Sequence, residues 1–484
     1  MGVIAAVGAA TATVFEARAF RGVRWLARQF NTNIPAAWPP LVPPHMLGRH
    51  CHRRPPMSKR DTPDTDEGNV RKSKITRRSL LAGAGGAAGA AILKNSTATA
   101  DEPPTPSPQQ ASPDSTKAYG RPATPVGARS TFERPERSVS NSPGGVSRTP
   151  LQDLNGMITP SDLHFERHHA GVPRIDPADY SLLIHGMVER PMKFSLDDLK
   201  RFPSRTQICF IECAGNGGAA YTTTPNPQRS PQQVDGLVST SEWTGVPLAT
   251  LFREVGLGDD ASWFLAEGMD ASVMTRSIPT EKAWDDALIA YGQNGEAIRP
   301  EQGYPARLLL PGWEGNANVK WIRRIDVSDR PFMTRWETSK YSDPLADGTA
   351  RIFSFTMDAK SLITSPCYPS VLRAPGWWQI SGVAWSGRGK IDRVDVSTDG
   401  GQRWEPAELE DPVLPKCQTR FRYLWNWSGD EAVLMSRAVD ETGYVQPTVE
   451  QVQQARGVFS RYHYNSIRAW TVKPDGAVLF GAGA

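Results

Sequence analysis

The chain is poor in cysteine and lacks the cysteine spacings that hold haem or zinc. Only five of its 484 residues are cysteine, and neither C-x-x-C nor C-x-x-C-H occurs. Because the second spacing attaches c-type haem, we expect no haem in this chain. Cys367 and Cys417 could form a disulfide in an oxidising compartment, and the sequence leaves that pairing open.

Long apolar runs are scarce as well. After residue 100 no stretch approaches the ~20 apolar residues needed to span a bilayer, so the sequence predicts no transmembrane segment there. Residues 1–100 contain 15 Lys and Arg but only 5 Asp and Glu, which leaves 40 basic and 46 acidic residues in the rest. The net charge after residue 100 is therefore −6, compared with +4 for the whole chain. That balance gives no general basis for binding nucleic acid.

The first hundred residues have the pattern of an export signal. A twin-arginine motif, Thr76–Leu81, is followed by the small, mildly apolar stretch Ala82–Leu93 and by an A-x-A cleavage sequence at Ala98–Ala100. We therefore expect a leader over residues 1–100 and export of the folded protein to the periplasm. Met57 is an ordinary start for such a signal and is the expected initiator. The role of residues 1–56 stays open, with a transit peptide in the Arg-rich stretch Phe15–Phe30 as the alternative.

Composition divides the remaining chain into three parts. Residues 101–150 contain ten prolines with many Ser and Thr, which predicts an extended linker or wrapping arm. Residues 151–345 mix short strands and helices, such as strand Arg205–Glu212 and helix Leu248–Val255, and so predict an α+β domain. Residues 346–484 show short alternating strands between turn signals, which predicts a β-sandwich.

The most informative cysteine lies where a predicted strand meets a glycine-rich loop. Cys213 directly follows the apolar strand and precedes the loop Gly215–Ala220. A thiolate held at a strand end with open space before it suits a soft metal ligand, and a buried packing role is the common alternative. Cys209 lies about 13 Å away along the strand, too far to bind the same metal. One of the two cysteines is therefore the predicted ligand, and the other packs.

The glycine-rich loop also matches the pattern G-x-G-x-x-A of dinucleotide-binding sites. That pattern requires a helix immediately after it, because the helix N-terminus binds the pyrophosphate. Here the prolines that follow the loop exclude such a helix. The sequence therefore argues against a nucleotide cofactor.

Several separate motifs, in the order of the chain, resemble the sulfite oxidase family of molybdopterin enzymes. The run Phe210–Asn216 resembles that family's molybdenum-binding loop. The other matching motifs are Phe165–His169, Gly268–Asp270, Arg276–Pro279, Gln302–Arg307, Pro311–Asn316 and Asn318–Trp321. The resemblance covers residues 151–480 and implies an immunoglobulin-like dimerisation domain at the C-terminal end. Three segments resemble one group within this family, the sulfane dehydrogenases of the Sox sulfur-oxidising system. They are Ser161–His169, Thr275–Pro279 and Glu337–Tyr341.

The resemblance implies one molybdenum–molybdopterin cofactor per chain. Cys213 would bind molybdenum as a thiolate beside the two dithiolene sulfurs of the pterin, since soft sulfur donors suit this metal. The other positions that correspond to cofactor contacts are His169, Asp270, Gln302, Arg307, Asn318 and Lys320. Arg and Lys suit a phosphate group. Gln302 stands where relatives often have a histidine, so its role stays open.

Two residues correspond to catalytic groups of the family. Arg167 would hold an anionic sulfur oxyanion over the metal. The phenol of Tyr291 would donate a hydrogen bond to a developing or departing oxygen, with packing in an amphipathic strand as the alternative.

Four further residues are candidates for the substrate site. Gly217 and Gly218 stand where sulfite-oxidising relatives carry arginines, so their small size would reduce positive charge and open space for a bulky substrate. Arg276 is a candidate replacement cation, with a structural salt bridge as the alternative. Trp243 would shape the same pocket, or else it packs in the core.

Together these features predict an exported oxidoreductase that oxidises sulfur by oxo transfer and passes electrons to a c-type cytochrome on another chain. The substrate would be sulfane sulfur on a carrier protein, or sulfite, and the assembly a homodimer or hetero-oligomer. Three alternatives remain: a free-sulfite dehydrogenase, a reductase of oxidised sulfur compounds, and a non-catalytic binding scaffold.

Overall fold

A computed structural model describes residues 115–117, 119–142, 144–221, 226–345, 347–457 and 460–483. The predicted leader lies outside these residues, together with its motif Thr76–Leu81, the cleavage sequence Ala98–Ala100 and the expected start Met57. Within the described residues, no helix has both the length and the apolar character needed to cross a membrane.

The described residues between 138 and 328 form thirteen strands. They are β1 (Ser138–Ser140), β2 (Val146–Arg148), β3 (Glu166–Arg167), β4 (Ser181–Gly186), β5 (Met192–Ser195), β6 (Arg205–Glu212), β7 (Val238–Pro247), β8 (Trp263–Gly268), β9 (Thr275–Pro279), β10 (Leu288–Gln293), β11 (Glu296–Ala297), β12 (Arg307–Leu309) and β13 (Ile322–Ser328). One five-stranded sheet has the order β5-β4-β13-β8-β9, in which β13 runs parallel to β4. The other has the order β11-β10-β7-β6, with β12 also paired to β10.

Four short helices connect these strands: α1 (Leu196–Arg201), α2 (Pro231–Asp235), α3 (Leu248–Val255) and α4 (Glu281–Asp285). At the start of α1 the Ser195 hydroxyl accepts a hydrogen bond from the Asp198 amide, and the Asp198 carboxylate accepts one from the Ser195 amide. Helix α3 ends at Gly256, whose φ of 71° is left-handed and is readily adopted by glycine. The start of α1 and the end of α3 are therefore encoded locally.

The C-terminal part is a sandwich of two main sheets. Its elements are β14 (Asp343–Pro344), β15 (Ala350–Arg351), β16 (Lys360–Ser365), β17 (Gly376–Trp385), β18 (Ile391–Ser397), β19 (Glu405–Pro406), β20 (Glu408–Leu409), β21 (Thr419–Trp427), β22 (Ala432–Asp440), α5 (Val449–Arg456), β23 (Ala469–Val472) and β24 (Val478–Phe480). The sheets have the orders β16-β17-β21-β20 and β19-β18-β22-β23-β24. Trp385, Phe421 and Trp470 are fully buried in their shared core. The predicted α+β class and β-sandwich are confirmed.

The segment before residue 150 contributes to the first part of the fold. Strand β2 pairs with β1 on one side and with β3 on the other, where Val146 lies opposite Arg167. Residues 119–132, by contrast, form neither helix nor strand and are exposed. The predicted linker region therefore includes a stretch that holds β3, the strand that carries Arg167.

The four cysteines in the described residues are free. The thiol of Cys367 donates to the Thr364 carbonyl at 3.1 Å, and that of Cys417 to the Ile208 carbonyl at 2.8 Å. The disulfide between Cys367 and Cys417 that the sequence left open is therefore not formed.

Candidate active site

An inner cavity lies between the end of β6, the segment around β3, the turn after β8 and the segments on either side of β12. It contains about 660 Å³ of space, including the part open to solvent. The seven residues that the sequence assigned to cofactor contacts all line it: His169, Cys213, Asp270, Gln302, Arg307, Asn318 and Lys320. Residues from distant parts of the chain thus converge on one concave site, as ligand sites usually require.

Cys213 is the cysteine that faces this cavity. It follows β6 directly, and its amide donates to the Leu237 carbonyl at 2.9 Å while its carbonyl accepts from the Asn216 amide at 2.8 Å. Its side chain is only partly buried, whereas Cys209 is 1% exposed and packs in the hydrophobic cluster behind it. The structure therefore makes Cys213 the available thiol and Cys209 the packing residue.

Burial raises the pKa of the Cys213 thiol, an effect that the nearby charge of Arg167 opposes. A thiolate at this position needs a cation to stabilise it, and a bound metal ion supplies one. Within the described residues, no group of three or more His, Cys, Asp or Glu side chains could hold a metal ion by itself.

Arg307 is a buried cation and Lys320 a partly buried one, and among the described residues neither forms a salt bridge with a carboxylate. The Arg307 guanidinium donates to the Gln302 and Asn318 carbonyls, both at 2.9 Å. Burial lowers its pKa to about 9. A buried cation without a counter-ion is costly, so an anion in the cavity would stabilise it.

Lys320 is held by three acceptors. Its ammonium donates to His168 Nδ1 at 2.6 Å, to the Glu301 carbonyl at 3.0 Å and to the Arg167 carbonyl at 3.3 Å. Burial, followed by the charge of Arg307, lowers its pKa well below the usual value. Because lysine only donates, His168 accepts through Nδ1 and donates through Nε2 to Glu166 at 2.8 Å.

The other cofactor candidates are fixed by the fold. The Asp270 carboxylate accepts from the Met274 amide at 3.1 Å, which stabilises the turn between β8 and β9. The Gln302 amide donates to the Phe165 carbonyl at 2.8 Å. The Asn318 amide spans the loop, accepting from the Leu310 amide at 2.7 Å and donating to the Trp313 and Glu314 carbonyls.

His164 lines the inner cavity although the sequence did not single it out. It is 1% exposed, and its Nε2 has no hydrogen-bond partner among the described residues. Buried polar atoms in native proteins are normally paired, so an unpaired ring nitrogen indicates a missing ligand group. Together with the unpaired cations and the single thiol, it shows that the residues present fit a molybdenum–pterin cofactor with an anionic end.

An outer cavity continues from the inner one towards solvent. Both are lined by Arg167, His169, Cys213 and Tyr341. The outer cavity adds Arg335, Trp336, Lys340 and Tyr462, among other residues. None of the described residues that line it is acidic, so its electrostatic character favours an anionic substrate.

The phenol of the site is Tyr341, and the prediction of Tyr291 is wrong. Tyr341 lies 2.8 Å, hydroxyl to His169 Nε2, from a residue of the inner cavity. Burial, followed by the nearby Cys213, raises the pKa of Tyr341, which keeps it a donor. Tyr291 lines neither cavity and packs instead against the main hydrophobic core of the first domain, beside a β-bulge in β10. The sequence did contain the signal, because Tyr341 ends a motif that carried the resemblance.

Arg276 forms the structural salt bridge that was its alternative assignment. It is fully buried and bonds Glu337 through Nε at 2.8 Å and Glu314 through Nη1 at 2.8 Å. It lines neither cavity, so it cannot contact substrate. Trp243 is likewise a core residue, fully buried with its ring 5.0 Å from the Arg307 guanidinium carbon.

Gly217 and Gly218 do not open the site, which corrects the prediction made for them. Neither lines a cavity. Gly217 has a left-handed φ of 87°, and a Cβ there would lie 2.4 Å from Arg468 Nη2. A Cβ on Gly218 would lie 3.0 Å from the ring of Tyr464. Close packing of the loop, rather than access to the metal, explains both glycines.

The described residues around this loop contain only short helices. A single turn of 3₁₀ helix covers Gly218–Ala220, and the next helix in the described residues, α2, starts only at Pro231 and has five residues.

Two family models match the chain. The model "Oxidoreductase molybdopterin binding domain" covers residues 169–336, and the model "Mo-co oxidoreductase dimerisation domain" covers residues 351–469. The first model covers all seven cofactor candidates, of which Cys213 is one. The second indicates that the protein assembles into an oligomer.

The chain is similar to several known proteins. It is 31% identical over 328 residues to sulfite oxidase of Gallus gallus, a match that covers 63% of this chain and 71% of that protein. It is 31% identical over 350 residues to mitochondrial sulfite oxidase of Mus musculus, covering 67% of this chain and 64% of that one. With nitrate reductase [NADH] of Solanum lycopersicum it shares 32% over 348 residues, which is 62% of this chain but only 37% of the reductase.

A solved structure shows the same architecture. The crystal structure of the sulfane dehydrogenase SoxCD from Paracoccus pantotrophus matches with a TM-score of 0.74 and 45% identity. The match covers 76% of this chain and 97% of that chain. The cavity has one thiol facing it and cations without carboxylate partners. Together with the two domain models and these relatives, it shows that the chain belongs to the sulfite oxidase family of molybdopterin oxidoreductases.

Proposed function

We propose that this protein is a molybdenum-dependent enzyme that oxidises sulfur, either sulfane sulfur bound to a carrier protein or free sulfite, and passes the electrons to a c-type cytochrome. We also propose that it is exported to the periplasm by the twin-arginine route. The observation that carries the proposal is the continuity of the two cavities at Cys213, with cations along the outer one. The similarity to a sulfane dehydrogenase supports sulfur as the substrate element.

The cofactor, when bound, supplies two-electron oxidation coupled to oxygen-atom transfer. Cys213 would hold its metal, and Arg307 would neutralise its anionic end. Arg167, which lines both cavities, would orient an anionic sulfur group by charge-assisted hydrogen bonds. Tyr341 would stay protonated, and its hydroxyl would donate a hydrogen bond to an oxygen at the reacting sulfur.

The open outer cavity favours a substrate larger than sulfite. Arg335 and Lys340 are exposed, and they lie at the outer end of a path whose inner end is Cys213. Cations spaced along such a path would attract an anionic group presented on an extended arm, with long-range steering that depends on ionic strength. Free-sulfite oxidation remains the second candidate within the same chemistry.

A side-by-side steady-state assay tests this proposal. Purified, molybdenum-loaded protein is given carrier-bound sulfane sulfur or sulfite, with ferricytochrome c as acceptor. Higher kcat/KM for the carrier-bound sulfur supports the leading assignment, and higher kcat/KM for sulfite supports the second. Turnover only in the reverse direction, in which reduced cytochrome c donates electrons to an oxidised sulfur compound, would establish a reductase.

A further inference from the structure

The residues on both sides of Cys213 are bonded to the C-terminal sandwich. On one side, the Glu212 carboxylate accepts from Lys360 Nζ at 2.6 Å and from Trp385 Nε1 at 2.7 Å. On the other side, the Ala214 carbonyl accepts from the His463 amide at 2.8 Å. Lys360, Trp385 and His463 all come from the second domain. The metal-binding cysteine therefore lies between two points of attachment to that domain.

Beneath the Cys213 loop, Glu212, Asp235, Lys360 and Arg468 form a four-charge cluster. None of the four side chains is more than 2% exposed. Lys360 Nζ lies 3.3 Å from Asp235 Oδ1, and Arg468 Nε lies 3.0 Å from Asp235 Oδ2. Each domain contributes two members, the acids from the first and the bases from the second. The charges balance across the domain boundary.

The Glu212 carboxylate and the Asp235 backbone also hold the loop itself. The Asn216 amide donates to Glu212 Oε1 and to the Asp235 carbonyl, both at 2.9 Å, and its oxygen accepts from the Leu237 amide at 2.9 Å. Asn216 closes the turn that begins at Cys213. The loop is thus connected to the second domain through Glu212 and Asp235.

The loop backbone packs directly on the cluster. A Cβ built on Gly217 would lie 2.4 Å from Arg468 Nη2 and 2.7 Å from Asp235 Oδ1. Burial alone would raise the pKa of Asp235, but Arg468 and Lys360 lower it, so the carboxylate stays charged. Four desolvated charges are expensive to bury and contribute little net stability compared with apolar residues. The cluster can instead serve to hold the loop in place, because a polar network whose hydrogen bonds are all formed fixes the surrounding residues in one arrangement.

We propose that the C-terminal domain positions the metal-binding cysteine, with Lys360 and Arg468 as positioning residues that act through Glu212 and Asp235. The domain would then have a part in the metal site that is separate from dimerisation. The proposal rests on Cys213 as the metal ligand and is independent of which sulfur compound is the substrate.

Amide hydrogen exchange of cofactor-free full-length protein, followed by mass spectrometry, tests the proposal without relying on turnover. In the unaltered protein we expect the peptide that contains residues 213–218 to be protected about as well as the strands of the two sheets, since local opening must break the cluster. Exchange as fast as that of the exposed segment 119–132 would overturn the proposal without any variant.

The matched variant is Glu212→Gln with Lys360→Met, which removes one charge of each sign and leaves the Asp235–Arg468 pair in place. We expect exchange in residues 213–218 to become about tenfold faster or more, and the molybdenum content of protein produced with cofactor synthesis intact to fall by at least about half. The control is Lys282→Met with Asp286→Asn, a pair 2.5 Å apart whose side chains are 4% and 12% exposed and which lines neither cavity. It should change neither quantity.

The outcomes separate the possible roles. A folded Glu212→Gln, Lys360→Met protein with unaltered loop exchange and full molybdenum content would show that the cluster is structural only. Loss of protection and metal in the control pair as well would also overturn the proposal, because the effect would then reflect general destabilisation. If the protein loaded molybdenum normally but oxidised no sulfur compound, the function proposed above would fail while the positioning role would stand.

Discussion

The guanidinium carbon of Arg276 lies 5.0 Å from the centre of the Tyr341 ring, so a buried cation supports the phenol of the active site from behind. Two carboxylates, those of Glu314 and Glu337, hold the guanidinium in place. The guanidinium carbon also lies 5.7 Å from the centre of the Phe355 ring. Arg276 therefore contacts a residue of the site, Tyr341, while it lines neither cavity itself.

Replacing Tyr341 should impair turnover far more than replacing Tyr291. Tyr341→Phe removes the hydroxyl that lies 2.8 Å from His169 Nε2 and faces both cavities. Loss of a hydrogen bond to a charged group costs about 1.5–3 kcal/mol, which corresponds to roughly 10- to 150-fold in kcat/KM. Tyr291→Phe is the matched control and should stay within about twofold. Steady-state kinetics with cytochrome c as acceptor compares the two, and the reverse ranking would restore Tyr291 to the site.

Loss of Arg276 should destabilise the protein strongly. Arg276→Met leaves Glu314 and Glu337 buried without their cation, which typically costs about 3–5 kcal/mol of unfolding free energy. The control is Arg422→Met, because Arg422 and its partner Glu410 have side chains 47% and 31% exposed, and such pairs contribute about 1 kcal/mol or less. Urea unfolding of both variants gives the comparison. Equal effects would mean that the Arg276 cluster contributes no more than a surface pair.

Arg307 should contribute to the stability of the cofactor-loaded protein and much less to that of the cofactor-free protein. Its guanidinium has no carboxylate partner in the described residues, so removing it leaves no unpaired acid behind. Arg307→Met is expected to lower the molybdenum-to-protein ratio several-fold and to shrink the difference in Tm between loaded and cofactor-free protein. Metal analysis and thermal unfolding of both forms measure this. An unchanged ratio would exclude Arg307 from cofactor binding.

His164 should make the cofactor-free protein sensitive to acid. Burial lowers its pKa from 6.5 to about 3 in the folded state. Below pH 6.5 the unfolded chain takes up a proton that the folded chain does not, so stability falls as the pH decreases from about 6.5 towards about 3. The loss from this residue is on the order of 3 kcal/mol at pH 4.

The variant His164→Gln removes this titration. Unfolding free energies measured in urea at pH 7 and pH 4 should differ less for His164→Gln than for the unaltered protein. His185→Gln, at a partly exposed ring, is the control for general effects of replacing a histidine. Equal pH dependence in all three proteins would show that His164 is not kept neutral by the fold.

Local signals were sufficient for the elements that bear the site. Strand Arg205–Glu212 and helix Leu248–Val255 have the predicted bounds, because an apolar run and a left-handed glycine at residue 256 define them without long-range contacts. The convergence of seven cofactor candidates followed from motif resemblance. Spacing alone could not bring residue 169 beside residue 320.

The errors arose where side-chain direction depends on tertiary contacts. Tyr291 lies at a β-bulge between Ala290 and Gly292, and a bulge changes the alternation of faces that a strand pattern assumes. Gly217 was predicted to open space near the metal because it has no side chain. Its neighbours are in fact Arg468 and Asp235, which come from sequence positions far from the loop. The four-charge cluster could not be predicted either, because its four residues are far apart in the sequence.

The most direct test of molybdenum-dependent sulfur oxidation is the amount of cytochrome c reduced per molybdenum when sulfite or carrier-bound sulfane sulfur is added to purified protein and to Cys213→Ser. We predict reduction that scales with molybdenum content in the unaltered protein, and a loss of about a hundredfold or more in the variant, because the serine hydroxyl is a harder and poorer ligand. Full activity in metal-free protein, or an undiminished rate in Cys213→Ser, would contradict the account.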